Sequence, residues 1–238
     1  MSKENFLRGV QGGVPIALGY FAVSFTFGIA AARDGLSIFQ ASLISLVNVT
    51  SAGQFAGLSI LAEGGTLIEM ALSQLIINLR YSLMSLALSQ KLAAKSPLYH
   101  RFLMAFGVTD EIFGISVLQK APLDPAFHYG AMALAIPGWV FGTFLGALAG
   151  SLLPDALLSA LGVAIYGMFL AIILPPAKRH APVMCAVILA MALSSALYFL
   201  PRIGLPKISS GFIIIITTVV VAGLLAALRP VDEEETDA

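Results

Sequence analysis

Ala105-Phe106-Gly107-Val108-Thr109-Asp110-Glu111-Ile112-Phe113-Gly114 places two adjacent carboxylates inside a run of membrane-type sequence. Apolar residues flank the pair on both sides, across a segment at 102–118 that is short for a full membrane span. A carboxylate in hydrocarbon costs about 2.5–3.5 kcal/mol on insertion scales, so such groups face a cavity, a counter-ion or a transported species. The glycines at 107 and 114 bracket the acids and predict an interrupted helix rather than a clean span.

Outward from this stretch, the chain is 58% hydrophobic and 11% charged over 238 residues, with a mean hydropathy of +0.93. Stretches of about 20 apolar residues recur, the length a helix needs to cross a bilayer core of roughly 30 Å. The expected fold is an all-α polytopic membrane protein. Eight apolar segments can be drawn, at 12–32, 38–61, 67–88, 102–118, 129–153, 156–174, 182–200 and 211–228. The segment at 38–61 is interrupted too, by Asn48-Val49-Thr50-Ser51-Ala52-Gly53-Gln54. Residues 1–11 read as a polar N-terminus, 12–228 as the transmembrane domain and 229–238 as an acidic, disordered tail.

Several function classes are excluded or disfavoured. The formal net charge of zero conceals five acids among the last seven residues, so the remainder carries a basic excess. A single cysteine, Cys185, leaves neither a disulfide framework nor a Cys-based metal site, and no cofactor is expected. No phosphate-binding loop, dinucleotide fingerprint or HExxH motif is present, so active transport would draw on an ion gradient or substrate exchange. The first apolar stretch lacks a signal-peptide cleavage pattern and reads as a retained span.

Basic residues in short loops mark the cytoplasmic side. If all eight segments cross from a cytoplasmic N-terminus, the bases outside Arg80 divide evenly between the two sides. If 38–61 and 102–118 each enter and leave on one side, the cytoplasmic set becomes Lys3, Arg8, Lys91, Lys95, Arg101, Lys120, Lys178, Arg179 and Arg229, against Arg33, Arg202 and Lys207 outside. The expected topology is therefore about six full spans plus two interrupted, re-entrant segments, with seven to eight spans as the alternative. Irregular backbone at membrane depth is tolerated where it is buried or lines a cavity, and transporter sites are often built from such discontinuous helices.

Asp110 and Glu111 point about 100° apart if helical, so they serve different partners. Asp110 is the stronger candidate for function, since Thr109 and Gly107 suit an opened backbone. Arg80 needs a counter-ion at depth, for which Asp110, Glu111 and Glu69 qualify. Alternatively its planar fork suits a substrate carboxylate. Asn48, Thr50, Ser51 and Gln54 offer hydroxyls, amides and free backbone groups at the other break. Tyr81 and Trp139 read as packing or interfacial anchors, and His100, His128 and His180 as residues of loops and span ends. The glycines at 138, 142, 146 and 150 form a small-residue stripe suited to close helix packing.

Taken together, Asn48-Val-Thr-Ser-Ala-Gly-Gln-Phe55, Asn78-Leu-Arg80, Ala105-Phe-Gly-Val-Thr-Asp-Glu-Ile-Phe113 and Trp139-Val-Phe-Gly-Thr-Phe-Leu-Gly146 resemble the AzlC family. These are large subunits of bacterial branched-chain amino acid exporters, and the likeness covers almost the whole chain in order. The resemblance implies a multi-pass protein of the bacterial inner membrane that exports valine, leucine and isoleucine, with methionine as a further candidate. It also implies a separate small hydrophobic partner of the AzlD type. Relatives often carry an acid two residues before the arginine; Asn78 stands there in this chain, which moves any proton-coupling role toward Asp110 or Glu111.

An amino acid is a zwitterion, so its site needs an anion for the ammonium and a cation or helix N-terminus for the carboxylate. The candidate substrate-binding residues are Asp110, Glu111, Arg80, Asn48, Thr50, Ser51, Gln54, Asn78 and Thr109, with Phe55, Phe106 and Phe113 available to a branched side chain. A passive channel for a small solute is the main alternative, a membrane scaffold the next. No nucleophile and base pair supports an enzyme, and no basic patch supports nucleic-acid binding.

Overall fold

The computed structural model describes residues 2–154, 170, 173–175, 177–204 and 206–228. The acidic tail at 229–238 and most of the span expected at 156–174 lie outside the described residues. Regular structure among the described residues is helical, apart from one isolated bridge between Leu92 and Leu123. The helices are α1 (Lys3–Arg33), α2 (Ile38–Val47), α3 (Ser51–Ala62), α4 (Leu67–Lys91), α5 (Leu98–Phe106), α6 (Asp110–Val117), α7 (Pro125–Leu152), α8 (Ala181–Phe199) and α9 (Ser210–Leu228), with a 3₁₀ turn at Leu200–Ile203. Among these, α1, α4, α7, α8 and α9 are long and apolar enough to cross a membrane. By internal packing the chain forms two compact units, Met1–Phe55 with Ile77–Ile165, and Ala56–Ile76 with Tyr166–Ala238.

The first unit is built on α1 and α7. Ser2 caps α1 by accepting from the Asn5 N–H, which starts the helix at Lys3, ahead of the apolar stretch that begins at residue 12. Asp124 likewise caps α7 through the Ala126 N–H, with Pro125 in the first turn. The same Asp124 carboxylate accepts from the Ser2 N–H at 2.8 Å and the Asn5 amide at 3.1 Å, so the two helices begin side by side. They then run parallel in constant register: Gly138 lies on Ala17, Gly142 on Phe21, Gly146 on Phe25 and Gly150 on Ile29. A Cβ at any of these glycines would collide with α1, so the small-residue stripe is what lets the two backbones meet.

Both interrupted segments double back on this frame. On the way in, Ser45 of α2 shares a buried 2.6 Å hydrogen bond with Thr143 of α7. After the break at residues 48–50, the Gln54 side chain of α3 donates to the same Ser45 oxygen at 3.0 Å, so α3 has climbed back to the level of α2. Phe55 meets Phe27 edge-on at 5.5 Å, two turns of α1 past Tyr20, while Val49 at the tip packs against the Tyr20 and Trp139 cluster.

The second hairpin enters from the other end. His128 of α7 is fully buried between its limbs, with Nε2 3.1 Å from the Met104 carbonyl of α5 and Nδ1 2.9 Å from the Ser116 hydroxyl of α6. A carbonyl only accepts, so Nε2 carries the proton and Nδ1 accepts from Ser116. The break lies at residues 107–109, just ahead of the acids, where Gly107 packs on Met132. Beyond α6, Gln119 accepts from Arg8 near the start of α1 at 3.1 Å, and Lys91 donates to the carbonyls of Val117 and Gln119, closing the C-terminal end of α6. α7 thus holds one hairpin at Thr143 and the other at His128, about 22 Å apart along its axis.

In the second unit, Gly64 takes a positive φ of 69° and turns the chain between α3 and α4. Glu63 accepts from the Ser210 N–H at 3.0 Å, and the buried Glu69 accepts from the Ser209 hydroxyl, so both acids serve the start of α9.

Candidate functional site

The tips of the two hairpins meet in the first unit, and they are built alike. Thr50 accepts from the Gly53 N–H at 3.3 Å, and Thr109 accepts from the Ile112 N–H at 3.3 Å, each threonine capping the helix that follows it. Both threonines are buried and both follow a valine, Val49 and Val108. Capping satisfies a backbone donor that would otherwise be stranded where the helix opens. The start of α3 and the start of α6 therefore both lie at one place, and their positive dipole ends suit negative charge there.

That place is a small cavity of about 30 Å3 lined by Tyr20, Val49, Thr50, Ser51, Tyr81, Thr109, Asp110, Glu111 and Trp139. A water needs roughly 10–15 Å3 of such space, so the cavity is sized for water and not for a larger solute. The two acids turn to different partners, as their helical offset requires. Asp110 pairs with Arg80 of α4 at 2.9 Å, both side chains being about half exposed. Glu111 accepts a 2.5 Å hydrogen bond from the Tyr20 hydroxyl of α1. Arg80 also donates to the Tyr81 hydroxyl at 3.0 Å and lies over that ring at 4.8 Å, and Tyr81 in turn donates to Thr50 at 3.5 Å. A polar chain thereby runs from Asp110 on one tip, through α4, to Thr50 on the other.

Of the residues singled out from the sequence, Asp110, Glu111, Thr50, Ser51 and Thr109 line the cavity and Arg80 reaches it through Asp110. Asn48 ends α2 as its C-cap, Gln54 ties α3 to Ser45 through its amide nitrogen, and Asn78 sits partly buried on α4; none of the three lines the cavity. Glu69, a candidate counter-ion for Arg80, is engaged with Ser209 in the second unit. Sequence reasoning did not assign Tyr20 to the site, and it took Trp139 and Tyr81 as anchors and His128 as a span-end residue. The signal available for the tips was the repeated Val-Thr at 49–50 and 108–109. Among the described residues no group of three or more His, Cys, Asp or Glu side chains is placed to hold a metal ion.

Comparison with known proteins follows the same stretch of chain. The family model described as "AzlC protein" matches residues 15–153, which span α1 to α7 and every residue of the cavity. An "uncharacterized membrane protein" of Archaeoglobus fulgidus is 35% identical over 178 residues, covering 74% of this chain and 78% of that protein. "Inner membrane protein YgaZ" of Escherichia coli strain K12 is 28% identical over 204 residues, 83% of each chain. An "uncharacterized membrane protein" of Helicobacter pylori is 27% identical over 155 residues, 62% of this chain and 67% of its own length. No solved structure matches.

Proposed function

The chain belongs to the AzlC family of transporter-type, multi-pass membrane proteins, and from that premise we propose that it exports branched-chain amino acids across the bacterial inner membrane. Valine, leucine and isoleucine are the substrates, with methionine as a further one, and a small hydrophobic AzlD-type subunit completes the transporter. The observation that carries the reading is the meeting of two capped helix breaks around a cavity lined by two carboxylates, one of them paired with a guanidinium. Charged groups at such a place are expensive in a membrane unless they serve a polar cargo. A zwitterion bound there finds anions for its ammonium and helix N-termini or donors for its carboxylate.

In this reading the hairpins are re-entrant, one from each face of the membrane, and the N-terminus is cytoplasmic. With room for little more than water, the cavity corresponds to a closed arrangement, and the hairpins must part at one face to admit an amino acid. Alternating opening of two opposed elements around a fixed site is a common transporter scheme. A carboxylate that takes up a proton when the substrate leaves would couple export to the proton gradient.

The test is leucine release from loaded vesicles with an imposed proton gradient, in the presence and absence of the co-expressed small subunit. Saturable release that depends on the gradient and is competed by valine and isoleucine supports the reading. Release that is unsaturated and indifferent to the gradient would favour the passive channel.

A further inference from the structure

Around the cavity, one buried donor has no partner and one carboxylate is held only by a hydroxyl. Asp110 and Arg80 neutralise each other at 2.9 Å. Tyr81, Thr50 and Thr109 are each engaged with a neighbouring donor or acceptor. Glu111 accepts from the Tyr20 hydroxyl and forms no ion pair among the described residues. Trp139, also in the lining and in contact with Tyr20, is 3% exposed, and its indole Nε1–H meets no acceptor among the described residues. Its ring meets the Tyr20 ring edge-on at 5.3 Å. A buried donor without an acceptor costs about 1–3 kcal/mol, and native structures rarely keep one without a reason.

We propose that the Trp139 indole N–H is the donor for the substrate carboxylate, that the Glu111 carboxylate takes the substrate ammonium, and that the Arg80–Asp110 pair is a latch between α4 and α6 rather than a ligand. This deepens the amino-acid reading above and rests on it. Tyr20 links the two poles, since its hydroxyl holds Glu111 and its ring holds Trp139. An indole N–H only donates. It therefore selects an acceptor, here a carboxylate, and does so without adding the positive charge that would repel the ammonium. With Asp110 paired to Arg80, Glu111 is the carboxylate of the lining left to meet a ligand's positive group.

Trp139 is the single tryptophan of the chain, so one indole N–H resonance reports on the site without any substitution. The experiment records that resonance in the ¹⁵N-tryptophan-labelled full chain in lipid nanodiscs, with any partner subunit unlabelled, while titrating leucine and then leucinamide. Leucinamide keeps the ammonium and the side chain but puts a weaker, neutral acceptor in place of the carboxylate. The expected result is a saturable downfield shift with leucine and no comparable shift with leucinamide. Trp139→Phe should lower the preference for leucine over leucinamide about tenfold, the size of one hydrogen bond to a charged group. Glu111→Gln should leave that preference and instead reduce discrimination between leucine and 4-methylpentanoate, which lacks the ammonium. Equal indole shifts with both ligands, or a Trp139→Phe variant with unchanged preference, would overturn the assignment while leaving the amino-acid reading intact. No saturable response of the wild type to leucine would bring down that reading, and the assignment with it.

Discussion

Arg80 Nη1 lies 2.9 Å from Asp110 Oδ2, and this pair joins the middle of α4 to the first residue of α6. Its two side chains are 45% and 42% exposed, so the pair is worth less than a fully buried one. As a latch it should show in stability as well as in flux. In a double-mutant cycle with Arg80→Gln and Asp110→Asn, read by thermal unfolding in detergent, we expect a coupling energy of about 0.5–3 kcal/mol, toward the low end. Additive effects of the two substitutions would mean that the residues do not support each other.

His128 makes a second, more local expectation. Its ring is the only described side chain bonded to both limbs of the α5–α6 hairpin. His128→Leu fills similar space but strands the Ser116 hydroxyl and cuts the tie to the Met104 carbonyl, which keeps the Gly107 N–H at 3.0 Å, at a cost of about 1–3 kcal/mol. Hydrogen exchange at the amides of Ile112 and Phe113 should speed up, while amides of α2 keep their protection. Uniform change across both hairpins would show that the effect is global rather than local.

The proposed re-entrant reading of that hairpin predicts which side its ends emerge on. In a Cys185→Ser background, cysteines placed at Lys91 and at Lys120 should react with a membrane-impermeant reagent from the same side. Labelling from opposite sides would mean that the segment crosses.

How much of this could be read beforehand differs from residue to residue. Helical class and the two interruptions were legible, because hydropathy and breaks are local properties of the chain. The asymmetry of Lys and Arg between loops added the expectation that both broken segments return, and Ser45 with Gln54 and His128 with its two limbs have that geometry. The partners within the site were another matter. Tyr20 and Glu111 are separated by 91 positions, and nothing local marks a tyrosine in an apolar helix as a partner for a carboxylate. Gln54 had the polarity of a ligand, but its amide nitrogen is tied to Ser45, and Asn48 stands at the end of α2 away from the cavity lining. Such commitments depend on tertiary neighbours and not on residue type.

Asp124 provides a pH-dependent check on the frame. Partial burial pushes its carboxyl up, but hydrogen bonds from the Ala126 N–H, the Asn5 amide and the Ser2 N–H outweigh this and hold it below the ordinary carboxylate range. A depressed folded-state value means that the stabilisation is present above the unfolded value of 3.8 and is lost as pH falls through the folded one. Exchange of the first-turn amides of α1 should therefore accelerate as the pH drops below about 3.8, once corrected for intrinsic rates. Asp124→Asn should remove that step.

The central claim is that the acids at the tip of α6 belong to the path of an amino acid. Counterflow tests it most directly: vesicles loaded with unlabelled leucine, carrying the chain co-expressed with the proposed small subunit, are diluted into labelled leucine. Wild type should accumulate label transiently above equilibrium, and Asp110→Asn/Glu111→Gln, folded by its melting profile, should show no overshoot. Full counterflow in that double variant would contradict the account.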